Sequence, residues 1–284
     1  MVGYDSFMSL FRFIAVLGAA AVLAAAGAHP LLAQTAAPGS LVHWPGEGIE
    51  RCLVGDRAFE PTVVGEEPGC LVPVGLTRTA DVIAERDRDG RRERLRIGLG
   101  EYPYSVQRLE IKDRSRVDLS PENLARVQRE NALIGRLWGR QGKPRFSLPL
   151  GAPLEKMPAG GRFGAKRIIN GEPRSPHTGA DYAVPQGTPV LAVDDAVVAL
   201  AGEFFFSGNA VFLDHGNGLI SMYFHLHEVF VEQGDEVPRG HRIGTVGSTG
   251  RSTGPHLHFG IRWQGERVDP ALWLGEPASI ATVR

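Results

Sequence analysis

Four histidines and one aspartate in the second half of the chain have the types and spacing to do chemistry. His256 and His258 lie in Gly254-Pro-His-Leu-His-Phe-Gly260. In an extended strand residues two apart point to the same face, so both imidazoles look into one cleft. His177 and Asp181, in Pro176-His-Thr-Gly-Ala-Asp181, stand four apart and share a face in a helical turn or a strand; Gly179 between them favours the strand. His225 comes from Met222-Tyr-Phe-His-Leu226, where Tyr223, two residues earlier, would share its strand face. Three ligands drawn from His and Asp leave the fourth position of a tetrahedral zinc open to water, as in catalytic and not structural sites. Water acidified in this way is a nucleophile near neutral pH. No His-Glu-x-x-His pattern supplies a glutamate base. The proton acceptor therefore falls to a histidine, whose ordinary pKa of about 6.5 suits the role.

The elements that must position these groups are short strands. After residue 146 the apolar runs Pro189–Val193, Ala196–Leu200, Asn209–Leu213, Leu219–Phe224, Arg242–Val246 and His258–Trp263 alternate with glycine-rich turns, the pattern of an antiparallel β domain without βαβ crossovers. Gly247, Gly250, Gly254 and Gly260 surround the His-Leu-His strand and suit turns at positive φ and close approach of a substrate. Upstream, residues 34–117 hold further short alternating runs, including Leu95–Leu99 and Val106–Ile111, and predict a small β-sandwich-like domain. The charged run Glu85–Arg94 mixes both signs around Gly90 and reads as a solvated hairpin tip. Ser120 and Pro121 look like an N-cap and first helical residue, with Asn123 where a capping box would have glutamate. They open a linking helix within residues 118–145, whose apolar stripe from Leu124 to Leu137 reads as core packing. The polar, proline-rich stretch after Gly139 reads as a linker. The expected architecture is mainly β, with a second, antiparallel β domain over residues 146–284.

A net charge of −1 over 284 residues gives no reason to propose nucleic acid as a partner. Residues 13–28 carry no charge and follow Arg12. The run is shorter than the roughly 20 apolar residues of a membrane span but suits a secretory leader over residues 1–33, with cleavage after Ala28 or Ala33. Membrane attachment would follow only if the leader stayed uncleaved. Export to an oxidising compartment in turn favours a disulfide between Cys52 and Cys70, the only cysteines.

The ordered set His-x3-Asp, Tyr-x-His-Leu and His-Leu-His, with Phe163-Gly164, Pro185-x-Gly-Thr-Pro189 and Asp214-His-Gly-x-Gly218, resembles the zinc metallopeptidases of family M23, the lysostaphin or LytM type. The resemblance spans roughly residues 160–275. It implies that His177, Asp181 and His258 bind Zn2+ and that His225 and His256 stand beside the metal unligated. Water activation is assigned to His256 and transition-state stabilisation to His225, with the reverse left open. Tyr223 would assist. Asn209 matches a framework asparagine, expected to order a loop first and to touch substrate second. Arg162 stands where relatives often carry a small hydroxyl residue, at the groove's edge and away from the zinc ligands. His215, His227 and His241 read as ordinary histidines, the last two exposed.

The function so implied is a periplasmic or secreted zinc endopeptidase acting on the peptide stems or cross-links of peptidoglycan. The alternatives are a non-catalytic activator of other wall hydrolases, with a regulatory protein partner in the groove, and a zinc peptidase acting on proteins.

Overall fold

The computed structural model of the chain describes residues 32–110, 118–275 and 279–283. The expected leader lies outside the described residues except for its last two positions, as does Ile111 of the expected strand Val106–Ile111.

The first half builds two facing sheets. Strands β1 (Leu32–Ala36), β2 (Leu41–Pro45), β3 (Ile49–Val54), β4 (Arg57–Phe59), β5 (Thr62–Val64), β6 (Glu67–Pro73), β7 (Val82–Arg88) and β8 (Arg91–Leu99) divide between a five-stranded sheet in the order β1-β8-β7-β3-β4 and a second sheet containing β2-β6-β5. Alternation does the sorting. Along β7, Val82 and Ala84 are buried while Ile83 between them is exposed, which leaves one face of each sheet for the shared core. Cys52 of β3 and Cys70 of β6 are joined by a disulfide with their Cα atoms 5.6 Å apart, fastening one sheet to the other. The charged run is a hairpin tip: Asp89 and Gly90 take φ of 51° and 70° at the turn. Behind it Arg92 and Arg94 pair with Asp87 and Glu85 across the strands. Arg86 is the exception, since its guanidinium is buried over the Trp44 ring at 4.1 Å.

Strand β9 (Val106–Leu109) leaves this unit. A helix, α1 (Pro121–Gly135), follows, with Ser120 Oγ accepting the Asn123 N–H at 3.2 Å, and a 3-10 turn covers Arg136–Gly139. Its apolar stripe is only partly core. Val127 and Leu137 are buried, whereas Leu124 and Leu133 are 46% and 42% exposed.

The second half is built on β10 (Lys166–Ile169), β11 (Glu172–Arg174), β12 (Ala180–Tyr182), β13 (Pro189–Leu191), β14 (Ala196–Phe204), β15 (Gly208–Asp214), β16 (Leu219–Val229), β17 (Glu236–Val237), β18 (Arg242–Val246), β19 (Leu257–Trp263) and β20 (Glu266–Val268), then α2 (Ala271–Leu274) and β21 (Ala281–Thr282). Nine of these strands form one antiparallel sheet with the path β12-β19-β16-β15-β14-β17. Strand β16 is its spine, pairing with β15, β18 and β19.

The two halves share a core. Trp263, fully buried, meets Phe59 edge to face at 5.5 Å and donates its indole N–H to the Leu71 carbonyl. The Asn217 side chain accepts from Glu60 N at 2.8 Å and donates to Glu60 O at 3.0 Å. Two strands cross the boundaries drawn from the sequence: β9 pairs in parallel with β10, and β21 pairs in parallel with β2. The stretch after Gly139 is likewise no free linker. Leu150 and Leu154 are buried, and Leu150 N donates to Trp273 O at 2.8 Å, so apolar burial outweighs the local proline signal.

Candidate metal centre

Register brings the site together. In the β12–β19 pairing Asp181 stands opposite His258, and in the β16–β19 pairing Phe224 stands opposite the same histidine. Cross-strand neighbours of this kind have touching side chains, and the Phe224 ring stacks on the His258 imidazole, 5.3 Å between centroids and 6° apart in plane. His177 arrives from the loop before β12. Its backbone N–H donates to Ala165 O at 2.9 Å and its carbonyl accepts from Gly164 N at 2.7 Å, so Phe163-Gly164 acts as a clamp on that loop.

Three candidate ligand atoms converge. His177 Nε2 lies 3.0 Å from Asp181 Oδ1 and 3.0 Å from His258 Nδ1, and His258 Nδ1 lies 2.8 Å from Asp181 Oδ1. The His177 Nδ1 lies 3.0 Å from the Arg162 carbonyl. A carbonyl only accepts, so that nitrogen carries the proton and Nε2 is the atom turned toward Asp181 and His258. Arg162, with φ of 65°, thus orients a candidate ligand through its backbone. This corrects the reading of it as remote from the ligands, which considered its side chain alone. Burial alone would raise the Asp181 carboxyl, but the hydrogen bonds and charges of His177 and His258 outweigh it and hold the group well below the usual carboxylate range. His258 is pushed down to about 4, mainly by burial.

The donor set fits a zinc-type cation. Two imidazoles and one carboxylate suit a borderline-soft ion, and ligands about 2.0–2.1 Å from a tetrahedral centre stand about 3.3 Å apart. The observed triangle needs to open by only a few tenths of an ångström. Among the described residues, no other group of three His, Cys, Asp or Glu side chains is placed to hold a metal.

His225 and His256 flank the triangle. Their ring centroids are 4.8 Å apart, and His256 Nε2 is 3.8 Å from Asp181 Oδ1. His225 Nδ1 lies 2.8 Å from Thr249 O, and His256 Nδ1 lies 2.8 Å from Gly254 O. Both Nδ1 atoms therefore carry protons, which leaves Nε2 as the nitrogen each ring turns away from the backbone carbonyl. Burial, then the neighbouring His258 and His256, push His225 down to about 3, so it rests neutral.

Strand alternation misplaces two residues here. His225 has φ of 63° and β16 shifts register around it. This bulge-like break turns His225 into the groove beside Phe224, where strict alternation would send it to the opposite face. Tyr223 stays on that opposite face and is corrected to a core residue. It is fully buried, and its hydroxyl accepts from Val193 N and Ser221 Oγ, both at 3.1 Å. Ser221 in turn contacts Nε2 of the buried His215 at 2.7 Å. Asn209 does not line the groove. Its amide donates to His227 O at 3.1 Å and its backbone N–H to Thr249 Oγ1 at 2.9 Å, holding the loop whose Thr249 carbonyl orients His225. His227 and His241 are exposed. Of the four glycines around the His-Leu-His strand, only Gly250 has positive φ, at 70°. At Gly247 a Cβ would lie 2.4 Å from His227 N, so close packing explains that one.

The centre opens into a groove of about 800 Å3, walled by the loops at 159–162 and 250–256 and by Gln107 and Leu109 of β9. The sequence reading did not foresee β9, Phe224, Arg167 or Arg251 here. No spacing signal marks them.

Peptidase family M23 matches residues 175–270, the span holding all five chemical residues. A crystal structure from Pseudomonas aeruginosa described as a peptidase M23 is 30% identical and superimposes with a TM-score of 0.65, over 84% of this chain and 95% of that one. The chain belongs to peptidase family M23. Over 95 residues it is 44% identical to the peptidoglycan DD-endopeptidase ShyA of Vibrio cholerae, and over 94 residues 52% identical to the DD-carboxypeptidase/endopeptidase Mpg of Neisseria meningitidis. These matches take in 34% and 33% of this chain, but only 22% of each curated relative's length. Among the described residues no helix is long and apolar enough to cross a membrane.

Proposed function

We propose that this chain is a zinc-dependent endopeptidase that hydrolyses peptide stems or cross-links of peptidoglycan, working in the periplasm or outside the cell. The observation that carries the reading is the inward triangle of His177 Nε2, Asp181 Oδ1 and His258 Nδ1 on a groove floor, with two further imidazoles turned toward it. The relatives named as acting on peptidoglycan supply the substrate class.

His177, Asp181 and His258 would hold the metal, which when bound supplies the Lewis acidity that makes water nucleophilic near neutral pH. The protein does the rest. His256, its tautomer set by the Gly254 carbonyl, offers Nε2 as the proton acceptor and later returns that proton to the leaving amine. His225 is kept neutral by burial; as negative charge develops beside it, Nε2 would take up a proton from solvent water and the resulting N–H would donate to the oxyanion. The Thr249 carbonyl keeps the ring aimed as that charge grows. Asn209 and Tyr223 act at one remove, the first on the Thr249 loop and the second on the sheet core.

The test is release of soluble muropeptides from purified peptidoglycan, with bound zinc quantified. Cross-linked dimers should fall to monomers only with zinc, and His256→Ala should keep zinc while losing about 10²- to 10⁴-fold in turnover. His258→Ala should lose metal and activity together, and stoichiometric zinc in that variant would overturn the ligand assignment. Zinc bound with nothing cut would make the groove a partner-binding surface, the activator reading.

A further inference from the structure

The groove is electrostatically lopsided. Arg162, Arg167, Arg251 and Arg267 line it, and Asp181 is the one acidic residue among its described walls. A metal at the centre would engage that carboxylate and add positive charge of its own.

One of these guanidinium groups sits at the centre's edge. Arg167 Nη2 is 3.8 Å from Asp181 Oδ2, and its Nε donates to Gln107 Oε1 at 3.3 Å. Arg251 is held differently: its backbone N–H donates to Phe206 O at 2.9 Å and its guanidinium lies 4.3 Å above the Phe206 ring. Among the described residues no carboxylate pairs with Arg251, whereas Arg174 nearby is paired with Glu172 at 2.7 Å. Burial, then the charges of Arg167 and Arg174, push Arg251 down to about 10, which still leaves it charged at neutral pH. A half-buried cation in the field of two others, with no carboxylate partner among the described residues, is costly to the folded protein. Its guanidinium, placed over Phe206 in the groove wall, offers a planar fork of N–H donors of the kind that matches a carboxylate in bidentate fashion.

We infer that Arg251, with Arg167 beside it, is the specificity determinant for a free carboxylate carried by the peptide substrate close to the amide that is cut. The inference rests on the peptidase reading above and narrows its substrate class. A peptide whose chain continues through a side-chain carboxyl keeps such a free α-carboxylate within the chain, whereas ordinary main-chain amides do not.

The experiment uses two synthetic cross-linked peptides of one sequence, one with the free carboxylate and one with that group as a carboxamide. Further pairs amidated at each carboxylate in turn locate the one recognised. Zinc-loaded wild type should prefer the carboxylate by about 10- to 100-fold in kcat/KM, the range of a charge-assisted hydrogen-bonded pair, with the difference mainly in KM. In Arg251→Ala the preference should collapse to within about twofold, and Arg251→Lys, which keeps charge but loses the fork, should retain part of it. Calorimetric binding of the carboxylate peptide to wild type and Arg251→Ala gives a readout independent of turnover, so absence of cleavage sinks the peptidase reading while the binding arm still decides the anchor. Equal use of both peptides by wild type, or an undiminished preference or affinity in Arg251→Ala, overturns the inference.

Discussion

Gly179 lies between two candidate ligands and has no room for a side chain. A Cβ there would stand 2.5 Å from Phe259 O, 2.6 Å from His258 Nε2 and 2.9 Å from His258 Cε1. Neither neighbour is a flexible tip: one is backbone within the central sheet, the other an imidazole already stacked on Phe224 and directed at Asp181. Ordinary contact begins near 3.4 Å, so in Gly179→Ala the ring must retreat by about 0.8 Å, well beyond the roughly 0.2 Å tolerance of a metal–ligand bond. The substitution should cost about 1–3 kcal/mol of overpacking. It should also weaken metal affinity by at least the 10- to 100-fold typical of disturbed ligand support. The assay is competition for zinc against a chromophoric chelator, paired with thermal unfolding of the metal-free protein. Gly135→Ala, with nothing within 4 Å of the added methyl, is the control and should leave both unchanged or slightly raise stability. Wild-type zinc affinity and an unchanged melting temperature in Gly179→Ala would refute the steric argument.

Two further outcomes concern the N-terminal sheets. Replacing both Cys52 and Cys70 by alanine opens a loop with a sequence separation of 18 and should cost about 3 kcal/mol by loop closure. Denaturant unfolding checks this, and a loss below about 1 kcal/mol would show that the sheets hold together without the bridge. His43 is buried with no partner for Nε2 among the described residues, and burial, partly opposed by Glu67, lowers its pKa. Because the unfolded chain then binds the proton more readily, stability from this group is complete above about pH 6.5 and declines as pH falls below it. His43→Leu should flatten the acid side of the melting profile, and superimposable slopes would contradict this account.

Much of the site was legible in the sequence because its chemistry follows local rules. His256 and His258 are two apart where β19 begins, so period-two geometry sends them to one side, while His177 and Asp181 are close in sequence, four apart across the loop that leads into β12. The helix start at Ser120-Pro121 and the hairpin tip at Asp89-Gly90 were readable for the same reason, since a cap and a turn depend on neighbours within four residues. The family resemblance then selected which histidines were candidate ligands, something spacing by itself left open.

The tertiary structure decided where local rules break or where distant segments meet. His225 faces the groove and Tyr223 the core because φ at His225 is 63°, a conformation held by the Thr249 loop and not encoded by alternation. The same holds for the Arg162 carbonyl behind His177, for Gln107 and Leu109 on the groove wall, and for β21 on the edge of β2. It also holds for Arg251, set over Phe206 with no acid paired to it among the described residues. Periodicity records which face of an element is apolar. Which backbone carbonyl, arginine or aromatic ring lies opposite depends on sheet register and core packing summed over contacts far apart in the chain.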